Sequence, residues 1–191
     1  MLEQRLQQQF FESADLKYQA AETLSRALAE AAGALLGAIT GGGKLMVMGC
    51  GPAAVLAPHL EALLVGRFER ERPPLPALAL DAQPTKALAT VQALGHPGDV
   101  LLLVCSAAGG ALAEADHEAA QALLEAAQGQ ELTVVMLATS GTAAATLPMG
   151  ETDVLISLPP ARAVRGLELQ LLVLHALCDA IDLQLMGEQD P

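Results

Sequence analysis

KLMVMGCGPAAVLAPHLEALLVGRFERERPPLPALAL, residues 44–80, decides the fold. Leu45 to Met48 is a short apolar run, Gly49-Cys50-Gly51 a tight turn, Pro52 to Phe68 a helical pattern, and Ala77 to Leu80 a second apolar run. A strand, glycine turn, helix, strand unit sets backbone N–H groups and a helix N-terminus at the C-terminal edge of a parallel sheet, where anions bind. Yet Cys50, Pro52, Ala53 and Ala54 offer that site neither hydroxyl nor lysine. The scaffold of a phosphate loop is present with little of its side-chain chemistry.

Upstream, residues 2 to about 40 carry an apolar stripe: Leu2, Leu6, Phe10, Ala14, Ala21, Leu24, Leu28, Leu35 and Ile39 recur at helical spacing. The pattern suits one long helix, or two with a break near Gln19 to Ala21 or at Gly33, and Gly41-Gly42-Gly43 ends it. Such a helix either packs between subunits or covers its own domain. Residues 1–40 are therefore read as an N-terminal helical oligomerisation segment, and 41–191 as one structural unit.

Downstream, the spacing predicts a short helix over Gln83 to Leu94, a buried strand over Val100 to Cys105, and an alanine-rich helix to about Gln128. Leu132 to Ala138 and Val154 to Leu158 read as strands, and Ala163 to Met186 as the last helix. Alternation of strands and helices across short loops predicts a three-layer α/β/α sandwich with a parallel sheet.

Composition narrows the function. Of 191 residues, 52% are hydrophobic but only 2% aromatic, so Ala, Leu and Val must build the core. The formal charge of −12 argues against direct nucleic-acid contact, which needs clustered Lys and Arg. Cys50, Cys105 and Cys178 lie far apart without CxxC spacing, which suits a reducing cytoplasm. The N-terminus has no signal-peptide pattern, and no apolar run nears the roughly 20 residues of a membrane span.

Three loops should gather at one sheet edge: Gly49 to Ala54, Cys105 to Ala111, and Thr139 to Ala143. Gly49, Gly51, Ser106, Thr139, Ser140 and Thr142 are the candidate ligand-binding residues there. His59 and Glu61, two apart, do not share a helix face. His175 and Asp179 do, and a structural hydrogen bond between them is expected. His96 and His117 read as surface residues. Cys50 is either activated by the helix N-terminus or simply small enough for the turn. The alternating charges of Arg67 to Arg72 suit intersubunit or solvent ion pairs.

The motifs GCG at Gly49 to Gly51, GRFERERPPLPALAL at Gly66 to Leu80, and ALGHPGDVLLLVCS at Ala93 to Ser106 carry a resemblance. ELTVVMLATSG at Glu131 to Gly141, DVLISLP at Asp153 to Pro159 and LCDAID at Cys178 to Asp182 extend it nearly end to end. Together they resemble the sugar isomerase (SIS) domain family, in the branch holding sedoheptulose 7-phosphate isomerase and the DnaA initiator-associating protein DiaA, closest to DiaA. The resemblance implies a flavodoxin-like or Rossmann-like sandwich.

Departures from the family pattern bear on activity. The first loop, GNGGSA or GNGTSA in the family, has Cys50 and Ala53 for the asparagine and serine. The second, STSGNS in the family, keeps only Ser106 and Gly109. In the isomerases a histidine and a glutamate four residues later serve metal and base roles; His59 matches the first and Leu63 replaces the second. The family's R-I-Q-E-I-H aligns with Arg165 to Gln170, putting Leu167 and Gln170 at its glutamine and histidine. The segment between Leu80 and Ala93 is also shorter than the family's.

What the resemblance implies is thus a noncatalytic homotetramer needing no metal or cofactor. It would bind the initiator DnaA and promote its assembly at the replication origin, with Leu185 and Met186 as a contact or as a cap on the last helix. A phosphosugar sensor and a degenerate sedoheptulose 7-phosphate isomerase remain the alternatives.

Overall fold

The computed structural model describes residues 1–106 and 114–187. The second loop beyond Ser106 and the tail beyond Gly187 lie outside them. Five parallel strands form the sheet: β1 (Leu45–Cys50), β2 (Ala77–Ala79), β3 (Val100–Cys105), β4 (Thr133–Thr139) and β5 (Val154–Leu158), in the order β2-β1-β3-β4-β5. Helices α1 (Leu2–Thr40), α2 (Leu56–Val65), α3 (Pro84–Leu94), α4 (Glu114–Gly129) and α5 (Ala163–Met186) cover its two faces. The expected three-layer sandwich is what the chain forms.

Strand order dictates which helices meet. The connection β1-α2-β2 steps one way along the sheet, while β2-α3-β3 and β3-α4-β4 step the other way. Right-handed crossovers therefore put α2 on one face and α3 and α4 on the opposite one. Helices α1 and α5 join α2: Leu24, Leu35, Leu60, Leu64, Leu174 and Leu177 pack with Val100, Leu102 and Val104 of β3. The alternate residues Leu101, Leu103 and Cys105 pack with Val91 of α3 and Leu123 of α4. A strand buried on both faces reads as a continuous apolar run, as the sequence of β3 does.

Helix α1 is one continuous element of 39 residues with no break at Gln19 to Ala21 or at Gly33. Its C-terminal part buries Leu16, Ala20, Leu24, Ala31, Leu35 and Ala38, whereas Leu2, Leu6, Phe10 and Phe11 are exposed. Between β1 and α2 the chain starts as a 3₁₀ turn over Gly51–Val55, and α2 ends at Val65, short of the expected Phe68. Helix α5 is long and apolar enough by composition to cross a membrane, against the expectation from the sequence. Here it is a core helix: Leu169, Val173, Leu174, Leu177, Cys178 and Ile181 are buried against the sandwich.

The charge run Arg67 to Arg72 departs from expectation at its last residue. Arg67 pairs with Glu71 at the surface. The Arg72 side chain instead is 1% exposed and donates from Nε to Oδ1 of Asp182, whose side chain is also 1% exposed, at 2.5 Å. Its Nη1 and Nη2 donate to the carbonyls of Leu64 and Leu63, at 2.8 and 2.9 Å. Planar, multi-donor guanidinium is what lets one cation satisfy a carboxylate and two helix-end carbonyls together.

Candidate active site

The strand order reverses between β1 and β3, and in open α/β sheets ligands bind outside the C-terminal strand ends at such a reversal. Cys50 and Cys105 end the two strands in register. The first loop needs its glycines. Gly51 has φ +61, and a Cβ there would meet the Ser106 carbonyl oxygen at 2.9 Å and Asp116 Oδ2 at 3.3 Å. A Cβ on Gly49 would lie 2.1 Å from the Ala53 carbonyl oxygen.

The Ser106 N–H donates to the Cys50 carbonyl at 3.3 Å, so the first two loops are joined through their backbones. Ser106 is buried. In the third loop the Thr142 hydroxyl donates to the Thr139 carbonyl at 2.7 Å, which occupies its proton within the loop. Ser140 is exposed, and its N–H donates to Leu158. Gly49, Gly51 and Ser106 thus adjoin one another, while Thr139, Ser140 and Thr142 form a neighbouring turn.

The group the sequence reading missed is a pair of imidazoles. His59, in the first turns of α2, and His175, midway along α5, place their Nε2 atoms 2.9 Å apart. Their ring centroids are 5.2 Å apart, and Phe68 lies over His175 at 5.5 Å. Both are half-buried. Burial, then the neighbouring His59, pushes His175 below the ordinary imidazole value, with Glu69 opposing. One ring of such a pair donates its proton and the other accepts it, so a neutral base and a proton donor stand side by side.

The expected His175–Asp179 bond is absent among the described residues, and Asp179 is exposed. His117 is half-buried with Nδ1 enclosed, against the surface position expected for it; His96 is exposed. Glu61 accepts the Ala79 N–H at 3.1 Å, tying α2 to β2. Leu63 and Leu167 are packed against the core. Gln170 is wholly buried and donates from Nε2 to the Cys105 carbonyl at 2.8 Å. A metal in the role named for the family's isomerases does not fit this donor set. Zinc sites take at least three protein ligands, and no group of three His, Cys, Asp or Glu converges among the described residues.

Comparison with known proteins places the chain. The SIS domain pattern matches residues 9–138. The phosphoheptose isomerase of Methylibium petroleiphilum is 44% identical over 203 residues, covering 100% of this chain and 98% of that protein. That of Aromatoleum aromaticum is 36% identical over 200 residues, covering 97% of each. Among solved structures, a phosphoheptose isomerase from Francisella tularensis superposes with a TM-score of 0.82 at 30% identity, covering 95% of this chain and 98% of that one.

These findings overturn the expectation of a noncatalytic protein drawn from Leu63, Leu167 and Gln170. Relatives matching end to end bear the name of an enzyme. The expectation rested on single positions of α2 and α5, each weighed by its own spacing, which says nothing of how the two helices meet. His59 and His175 are brought together from two helices.

Proposed function

Because the chain belongs to the SIS domain family, we propose that it is a phosphosugar isomerase, interconverting the aldose and ketose forms of a phosphorylated heptose such as sedoheptulose 7-phosphate. The observation that carries this is the 2.9 Å contact between His59 and His175. Isomerisation removes a proton from the carbon beside the carbonyl, passes through an enediol, and returns a proton to the adjacent carbon. With the sugar displacing the hydrogen bond between the rings, His175, held neutral by its surroundings, takes the carbon-bound proton on the freed nitrogen, and His59 serves the carbonyl oxygen as donor. The backbone N–H groups of the first loop and the start of α2 hold the phosphate. His59 lies four residues, about 6 Å, along α2 from Val55, within reach of a sugar anchored there.

The test is turnover of sedoheptulose 7-phosphate by the purified protein, then by His59→Gln and His175→Gln. Turnover lost by about a hundredfold or more in each variant, with fold retained, supports the assignment. Unchanged turnover in both variants would remove the imidazoles from the chemistry, and no turnover in the parent would end the isomerase reading.

A second, compatible role rests on two surfaces. Leu185 and Met186 line, with Ile39, Pro73 and Leu75, an open apolar hollow of about 310 Å³, and Met186 is 41% exposed. The DiaA resemblance makes DnaA the partner to try there. The exposed Leu2, Leu6, Phe10 and Phe11 of α1 are what a homotetramer would bury. A cytoplasmic setting accompanies both roles. Loss of DnaA recovery on Met186→Ala, at unchanged tetramer mass, is the expected result.

A further inference from the structure

We propose that Arg72 and Asp182 form a positioning pair that sets the register of the two imidazoles. This rests on the isomerase reading, in which the two imidazoles react. The geometry begins at the end of α2. The last carbonyls of an α-helix have no partner within it and carry its negative dipole end. Arg72 donates to the carbonyls of Leu63 and Leu64 at 2.9 and 2.8 Å, the latter shared with the Leu75 N–H at 2.9 Å, and approaches the Gly66 carbonyl at 3.4 Å.

The same guanidinium then reaches across to α5 and Asp182 Oδ1 at 2.5 Å. His175 and Asp182 are seven residues apart, two turns on the same face of α5, or about 10 Å. His59 and Leu63 are four apart, one turn of α2. Helix α2 is therefore fastened to α5 at two levels. At one level the fastener is Arg72 with Asp182; at the other are the groups proposed to do the chemistry.

A second link runs through the intervening segment. Gly66 to Arg72 leaves the end of α2 and carries Phe68 over the ring of His175. Its far end is held where Arg72 enters the core. Releasing Arg72 loosens the C-terminal end of α2, one turn beyond His59, and the ring that confines His175, leaving the Leu75 N–H on the Leu64 carbonyl.

The pair is costly to bury, which argues that it does more than fill space. A buried ion pair is often no better for stability than well-packed apolar side chains of similar volume. Asp182 also keeps Oδ2 without a partner among the described residues. A group held in that condition fits a role in fixing geometry.

Asp182→Asn and Arg72→Lys test the proposal. Asn keeps the shape and an acceptor but not the charge, and Lys keeps the charge but not the fork. Each variant is followed by the imidazole nitrogen resonances of His59 and His175 at one neutral pH, and by kcat and KM for sedoheptulose 7-phosphate well below its melting temperature. The expected result is a displacement of both imidazole signals from their parent positions, with kcat lower by about a hundredfold and KM little changed. A structural role alone would lower the melting temperature and leave the imidazole signals and kcat as they were; that outcome in either folded variant overturns the proposal. Should Asp182→Asn not fold, Arg72→Lys, which keeps the ion pair, decides. A parent protein without turnover would sink the isomerase reading instead, while the imidazole resonances still report whether Arg72 and Asp182 position the pair.

Discussion

Replacing Gly51 by alanine should damage the fold and the site together, and replacing Gly98 provides the control. Both glycines have positive φ, +61 and +90, so either substitution incurs left-handed strain of about 1–2 kcal/mol. They differ in what a methyl group would meet. At Gly98, on the loop entering β3, nothing lies within 4 Å. At Gly51 the new Cβ would sit 2.9 Å from the Ser106 carbonyl oxygen. That oxygen belongs to backbone tied to Cys50, so one loop must withdraw by roughly half an ångström to restore ordinary contact. Crowding of this kind adds about 1–3 kcal/mol. Gly98→Ala should then lower the melting temperature by about 2–8 °C and Gly51→Ala by roughly 4–20 °C.

Function separates the two more sharply. The withdrawn loop is the proposed phosphate cradle, so Gly51→Ala should lose about tenfold in kcat/KM for sedoheptulose 7-phosphate, chiefly through KM. Gly98→Ala, at the opposite edge of the sheet, should leave both constants alone. Scanning calorimetry and steady-state kinetics on the three proteins are sufficient. Equal stability losses with unchanged KM in Gly51→Ala would refute the close approach of the first two loops as the basis of the cradle.

The remaining predictions concern titrating groups. His175 titrates below the ordinary imidazole value of 6.5, so kcat/KM should hold at neutral pH and fall as the pH drops through that lowered value; a midpoint above 6.5 would contradict its placement. The same shift makes folding stability decline as pH falls below 6.5 and level off below the folded-state value. Burial alone would raise the Asp99 carboxyl, but the Lys44 ammonium and N–H and the His96 N–H together hold it below 3.8. Its contribution is therefore present above 3.8 and lost as pH falls through the lower folded-state value, and Asp99→Ala should destabilise by about 2–4 kcal/mol, read by urea titration at pH 7. Burial pushes the Cys178 thiol up to about 12, with Asp182 adding to it and Arg72 opposing. A hydrogen bond with Cys50, then burial, raises Cys105 well above its usual range. All three thiols should resist dithionitrobenzoate at pH 8 in the native protein and react on unfolding; rapid native labelling of Cys105 or Cys178 would refute this.

Much of the architecture was legible because it is written locally. The runs Val100 to Cys105 and Val154 to Leu158 coincide with β3 and β5, and Ala163 to Met186 with α5. The glycines at 49 and 51 were legible too, as a turn between strand and helix. The site was less so. Ser106, Thr139 and Thr142 were candidates from their place after strands, but the sequence could not show that the Thr142 hydroxyl is taken up by its own loop. Arg72 looked like one more charge in an alternating run, since nothing near it in the chain announces a partner 110 residues away.

Sequence alone determined the elements, their order and the parallel sheet, because period, apolar runs and glycine breaks act over a few residues. Only the tertiary structure decided which helices share a face. That depends on the reversal between β1 and β3, which sends α3 and α4 to one side and leaves α2 with α1 and α5 on the other. The meeting of His59 with His175, and of Arg72 with Asp182, follows from that partition. Spacing along one helix can place a side chain on a face, but it holds no information about what another helix brings to that face.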